Sequence, residues 1–316
     1  MTVCRSIRTC PDYVKYACAL MALAIAPLSA AETSENVTVT ETRLAPEQAL
    51  RAFVHSYATP APVNGKMTRW KDPLCPVTAG LPPDGNRLVT ERVRQVAGQA
   101  GAPVAKTQSC KPNIDIVFTL HPQALLDEVR KKTPVFLGYH DVAQEQGLAT
   151  VTHPIQAWYT TQTVDINGTT YVDDRLRNHG GFYTVSPFGP KYGSIFIPDA
   201  RVEHSTASRI ADALSSELFH VIVVIDLAKV NGKTVGALAD YAAMLSLAQT
   251  QAFEVCQPVA SITNLVSPGC GAELKANALT ANDLAFLRGL YSINPRSSFT
   301  TQQGEMAYQM AKGLKE

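Results

Sequence analysis

The stretch FHVIVVIDLAKVNGKTVGALADYAAMLSLAQTQ, residues 219–251, decides how the rest of the chain is read. Its first seven residues, Phe219 to Ile225, form an unbroken apolar run rich in β-branched side chains, the composition of a strand buried on both faces. Ile210, Leu214 and Leu218 stand at helical spacing just upstream, so the expected order is helix, then strand. Thr234 can cap the helix that follows, from Val235 to about Gln251. Apolar residues surround that helix almost completely, including Val235, Leu238, Tyr241, Met244 and Leu247. A helix without a polar face belongs at the centre of a protein. Asp240 is its exception. It stands at the sixth helical position after Thr234, beyond the range of capping, and a buried carboxylate there needs a partner. An internal hydrogen bond or ion pair, with an Arg for example, would satisfy it structurally, and membership of a site would satisfy it functionally.

Working outward, Thr150 to Val172 changes to β character, with AWYTT (157–161) and TTYV (169–172) on either side of Asn167-Gly168, a strong hairpin signal. Asn113 to Leu120 reads as a short strand, followed by a helix from Pro122 to about Lys132. Asn86 to Gly101 places Leu88, Val89, Val93, Val96 and Ala97 on one stripe and ends in Gly, so it reads as an amphipathic helix. A short helix after Pro46 ends at Thr59-Pro60-Ala61-Pro62, the best candidate boundary. Ser194 to Pro198 is a further short strand, and the glycine-rich residues 174–193 read as a loop, either a flap over a site or a plain excursion. Capping boxes at Thr280 with Asp283 and at Thr300 with Gln303 open two late helices separated by Pro295. The class is α+β: one globular domain with a mixed sheet, a central buried helix and a mainly helical C-terminal part. It is expected over residues 64–316, with a possible sub-boundary near 200 and a linker with a short helix over 32–63.

Residues 1–31 have the form of a secretory signal, with Arg5, Arg8 and Lys15 before the apolar run ACALMALAIAPL (17–28) and Ser29-Ala30-Ala31 after it. About twelve apolar residues are too few to cross a hydrocarbon core that needs roughly 20 in a helix, so no membrane span is expected after cleavage. The chain holds 28 Lys plus Arg against 27 Asp plus Glu. Cleavage removes three bases and one acid, and the balance stays near neutral. Without a block of like charge, nucleic acid is not an expected partner. Cleavage also leaves four cysteines, Cys75, Cys110, Cys256 and Cys270. In a periplasmic or secreted location that even number suggests two disulfides. Of three possible connectivities, Cys75 with Cys110 and Cys256 with Cys270 closes the shortest loops. A four-thiolate zinc site would need a close C-x-x-C pair, which the sequence does not contain.

No nucleophile elbow, phosphate loop or dinucleotide fingerprint occurs, so no catalytic residue and no cofactor is assigned. Two weaker constellations stand out. Glu203-His204, Glu217-x-x-His220 and Asp240 include carboxylate and imidazole groups of the kind that bind divalent metals. If 219–225 is a strand, however, Glu217 and His220 point to opposite faces. Trp158-Tyr159, on the hairpin, and Phe182-Tyr183, in the glycine-rich loop, are candidates for a binding lip or for core packing.

From Phe219 onward the order is apolar strand, buried helix (LADYAAMLSLAQ), Ser261-Ile262-Thr263-Asn264 in a turn, then Ala278-Leu279-Thr280 leading to Asp283 and Leu287-Arg288-Gly289-Leu290-Tyr291. Over about the last hundred residues this order resembles exported zincin-like metallopeptidases and, more closely, an uncharacterised group of secreted proteobacterial proteins with the same layout. Zincins carry H-E-x-x-H on the central helix. Here Asp240 and Met244 flank Tyr241-Ala242-Ala243, which does not replace a zinc dyad. The resemblance therefore implies a zincin-like scaffold without that metal and without peptidase chemistry. The expected function is non-catalytic binding of an envelope protein or peptide. The alternatives are a divalent-metal-dependent hydrolase and a structural component of envelope assembly.

Overall fold

The computed structural model describes residues 46–107, 109–138, 142–173, 181–184, 194–197 and 214–315. Its elements run α1 (Pro46–Tyr57), β1 (Thr68–Arg69), β2 (Pro76–Ala79), α2 (Pro83–Ala100), β3 (Ile114–Thr119), α3 (Pro122–Lys132), a 3-10 turn (Pro134–Leu137) and α4 (Val142–Leu148). After these come β4 (Ile155–Val164), β5 (Thr170–Val172), β6 (Gly181–Thr184), β7 (Ser194–Ile197), β8 (Ser215–Asp226), α5 (Val235–Leu247), a second 3-10 turn (Ile262–Asn264), α6 (Ala281–Ser292) and α7 (Phe299–Gly313).

The apolar run forms the middle of the main sheet, whose order is β2-β3-β8-β4-β5. Strand β4 pairs antiparallel along the length of β8, while two strands share β8's other edge. Parallel β1 lies against Ser216 and Glu217, and parallel β3 takes over from Val221 to Asp226. The expected mixed α+β sheet is therefore present, and β6 and β7 form a separate antiparallel pair. The helix expected upstream does not reach 215–218, which are already strand. Ladder bonds offered by β1 and β4 at once outweigh the helical spacing of Leu214 and Leu218, a tertiary override of local pattern.

Each face of the sheet has its own apolar cluster. Val221, Val223 and Ile225 of β8 join residues of α1, α2, α5, α6 and α7 in the larger one. Ile222 and Val224 join Leu126, Val129, Trp158 and the 3-10 residues 135–137 in the smaller one. Helix α5 is buried from Ala237 to Leu247 and packs against α2, β8 and α6, as its all-round apolar surface requires. Thr234 caps it by accepting a bond from the Ala237 N–H. The Pro-rich segment 60–62, read from sequence as a boundary, lies inside the compact unit 44–316. The reason is that α1 buries Phe53, Val54 and Tyr57 in the larger cluster.

Strands β2 and β3 are parallel and joined through α2, so a βαβ unit carries the N-terminal half of the sheet. Cys75, just ahead of β2, is bonded to Cys110, just ahead of β3, with a Cα–Cα distance of 5.9 Å. Cys256 and Cys270 form the second cross-link. Closing loops of 35 and 14 residues is worth about 4 and about 3 kcal/mol in the chain-entropy account. Among the described residues no helix is long and apolar enough to cross a membrane. The disulfides fit an oxidising, extracytoplasmic compartment.

Candidate functional site

Asp240 has the partner that its burial demands. Its carboxylate accepts a bond from the Arg92 guanidinium of α2 and, at 2.8 Å, from the Leu279 N–H. The acid is 5% exposed and the arginine 29%, so the pair is half-shielded from solvent and ties α2, α5 and the approach to α6 together. A groove of about 640 Å³ between α2 and the start of α5 is lined by both residues. The charges there are already matched to one another.

Glu217 and His220 share a face of β8, contrary to the simple alternation. The β4–β8 register slips at Thr160/Thr161, so that Thr160 faces His220, Thr161 faces Leu218, and Phe219 is the extra residue of a bulge. Leu218 and Val221 both belong to the larger cluster, which puts Glu217, Phe219 and His220 together on the other side. They still do not converge. Glu217 accepts a bond from Gln162 Nε2 at 3.0 Å, and its carboxyl is pushed upward by burial, with the Gln162 bond opposing. His220 is buried, stacked on Phe136 with ring centroids 3.9 Å apart, and its Nε2 lies 3.2 Å from Asp115 Oδ2. Among the described residues no group of three His, Cys, Asp or Glu side chains is placed to hold a metal ion. Glu203 and His204 lie outside the described residues.

The aromatic pair on the hairpin divides between the two faces. Trp158 is fully buried in the smaller cluster and donates its indole N–H to the Leu148 carbonyl at 2.6 Å, so it packs the core and is not part of an open lip. Tyr159 turns to the other side, into the larger cluster, where burial pushes its pKa upward. The Phe182 and Tyr183 side chains lie outside the described residues.

Beside these two residues, β4 has an edge that its hairpin partner does not cover. Strand β5 pairs only with Gln162 to Val164, and the five-residue connection between the arms is held by Asp165, which accepts bonds from the Asn167 and Thr169 N–H groups at 2.8 Å each. Asn167-Gly168 thus forms part of a wider loop instead of a two-residue turn. Gly168 there takes a φ of +82°, which a side chain would resist. The Asp226 backbone N–H donates to the Pro154 carbonyl at 2.9 Å, so Gln156, Trp158 and Thr160 direct their backbone groups toward β8. Ile155, Ala157 and Tyr159 therefore direct theirs outward. The same outward set continues at Thr161, whose carbonyl accepts the Asp173 N–H at 2.8 Å. Gly138, at a φ of +66°, closes over the Tyr159 carbonyl so tightly that a Cβ would sit 2.0 Å from the oxygen. Among the described residues nothing bonds the outward N–H and C=O of Ala157.

This open segment borders a cleft of about 260 Å³. One wall is Leu137, Gly138, Gly147 and Leu148, and the other is Gln249 to Gln251 with Phe253 and Pro62. The second wall is anchored: Gln249 Oε1 accepts the Thr68 hydroxyl at 2.9 Å, and the Gln249 carbonyl accepts the Thr59 N–H at 3.2 Å. A strand edge whose donor and acceptor are used by nothing among the described residues, lying beside a cleft, can add one more strand.

Comparisons with protein families, with curated proteins and with solved structures found no match.

Sequence reasoning missed Ala157, Gly138 and the 249–253 wall, because none carries a reactive group. A trace of them was present in the unequal arms of the hairpin, ten residues in β4 against three in β5.

Proposed function

We propose that this is an exported binding protein that takes an extended segment of an envelope polypeptide beside Ile155–Tyr159 as an added strand, without catalysing a reaction on it. The observation that carries this reading is the outward N–H and C=O of Ala157, which nothing among the described residues bonds, beside a cleft of about 260 Å³. Main-chain bonds would supply affinity and the walls would choose side chains, the division of labour of strand addition. The zincin-like order of elements belongs to the same proposal: β8, the buried α5, and Asp240 and Met244 where a metal dyad would stand. Asp240 and Glu217 each accept a hydrogen bond from another protein group, and His220 is buried against Phe136, which favours binding over metal-dependent hydrolysis.

Ala157→Pro tests the proposal. Proline removes the outward donor and leaves the bonds of Gln156, Trp158 and Thr160 to β8 in place. Peptides recovered from a random displayed library on the immobilised full chain are expected to lose at least tenfold in affinity for a variant that melts as the parent does. Unchanged affinity in a folded variant would refute strand addition.

A further inference from the structure

We propose that Asn231 is a site of spontaneous deamidation, a covalent modification that the fold permits there and withholds from Asn64 and Asn167. The proposal stands independently of strand addition. In the reaction the Gly232 amide nitrogen loses its proton to water and attacks the Asn231 Cγ. A C–N bond closes a cyclic succinimide, the side-chain nitrogen leaves as ammonia, and water opens the ring to aspartate or isoaspartate. Solvent is the only co-reactant. Glycine in the following position assists, because no Cβ shields the attacking nitrogen.

Asn-Gly occurs at 64–65, 167–168 and 231–232, and the first and last lie in the same tetrapeptide, Val-Asn-Gly-Lys, at 63–66 and 230–233. Their nearest neighbours in sequence are identical, so a difference in their rates belongs to the fold. At the first site both reacting groups are held. Asn64 Nδ2 donates to Thr163 Oγ1 and to the Ser215 carbonyl at 3.2 Å each, and Asn64 Oδ1 accepts the Lys66 N–H at 3.2 Å. The nucleophile, the Gly65 N–H, donates to the Ala61 carbonyl at 2.9 Å. Lys66 is itself buried, with Nζ donating to the Arg296 and Ser297 carbonyls at 2.9 and 3.0 Å. Reaction at Asn64 therefore requires several bonds of the fold to break together. At the second site Asn167 is exposed, but the Gly168 N–H donates to the Asp165 carbonyl at 3.1 Å. Asp165 Oδ1 also holds the Asn167 and Thr169 N–H groups, so the turn is fixed around its nucleophile.

The third site is different. Asn231, Gly232 and Lys233 are all exposed, on a turn between β8 and α5 whose base is anchored by buried Val230. The turn is closed by the Lys233 N–H donating to the Val230 carbonyl at 3.1 Å. Gly232 has a φ of +81° and Asn231 a negative φ, which makes the turn type II with glycine in its third position. Among the described residues neither the Asn231 side chain nor the Gly232 N–H has a hydrogen-bond partner. Nucleophile and leaving group are thus both open to water, and only the closing bond restrains the rotation that brings them together. The product is also accommodated. Its new carboxylate stands between Lys229 and Lys233 and just ahead of Val235, the first residue of α5, where the positive end of the helix favours negative charge.

The test incubates the full chain at mildly alkaline pH, folded in one arm and unfolded in guanidinium chloride with a thiol reductant in the other. Peptide mapping by mass spectrometry follows aspartate and isoaspartate at each Asn-Gly site. In the folded arm Asn231 is expected to react at least tenfold faster than Asn64 and at least threefold faster than Asn167. In the unfolded arm the rates at Asn64 and Asn231 are expected to agree within twofold. Folded protein in which Asn64 or Asn167 keeps pace with Asn231, or in which Asn231 does not react while the unfolded chain does, would overturn the proposal. So would a preference for Asn231 over Asn64 that persists undiminished in the unfolded arm, since the fold would then not be its cause. Asn231→Asp, which supplies the aspartate product directly, is expected to melt as the parent does, and a lower melting temperature would overturn the accommodation of the charge beside α5.

Discussion

The two halves of β4 differ in their surroundings. From Thr161 to Val164 its outward groups are covered by β5, and Asp173 clamps that cover by accepting the Thr161 and Thr163 hydroxyls. From Gln156 to Tyr159 the strand borders a cleft, and Gly138 closes over the Tyr159 carbonyl. Exposed strand edges invite pairing and are ordinarily blunted. Here half of one edge is closed with buried hydrogen bonds, and the other half, itself buried, finds no strand partner among the described residues and borders a cleft.

Proline substitution separates the halves most sharply. Thr163→Pro removes an outward N–H that serves the β5 ladder and the Thr163 hydroxyl bound to Asp173, and it is expected to cost about 3 kcal/mol or more in urea unfolding. The same substitution at Ala157 is expected to cost less, because among the described residues its N–H serves no bond of the fold. Equal losses at the two positions would break the distinction. Next in size, Gly138→Ala is expected to cost about 2–3 kcal/mol, since the new methyl meets the Tyr159 carbonyl and the backbone keeps a positive φ; a melting temperature unchanged by this substitution would mean that the seal is loose. Asp173→Ala is expected to cost about 2 kcal/mol by leaving two buried hydroxyls without their acceptor. Amide exchange should then quicken at 161–163 and stay unchanged at 155–159.

The smallest effect expected concerns Glu217, bound by Gln162 of the closed half. Burial raises its folded carboxyl pKa, so the folded state holds the proton more tightly than the unfolded chain does. Stability from this group is greatest at acid pH and falls as pH rises from the ordinary glutamate range through the raised folded value. Glu217→Gln should therefore gain on the parent as pH increases across that window, and a constant difference between the two melting curves would exclude the effect.

Much of the frame was legible because it rests on local pattern. The run 219–225 and the greasy helix after Thr234 announced β8 and α5, and the need of Asp240 for a partner such as Arg was visible from burial alone. Counting the cysteines beyond residue 31 pointed to the two cross-links. What escaped depended on long-range pairing. Strands β1 and β2 are two and four residues long, too short for any period to show. The bulge at Phe219 reversed the parity that put Glu217 and His220 on opposite faces, and nothing in the sequence marks an inserted residue inside an apolar run. The cleft was hidden for a different reason. It is defined by backbone groups without partners, and a main chain carries the same donors and acceptors at every non-proline position.

The cross-links ahead of β2 and within 256–270 bear on when this chain folds. Together they are worth about 7 kcal/mol, comparable with the entire net stability of an ordinary domain, about 5–15 kcal/mol. While its thiols are reduced the polypeptide lacks a stabilisation of that order, so an oxidising compartment, the kind the disulfides fit, is where the βαβ unit gains its lock at Cys75–Cys110.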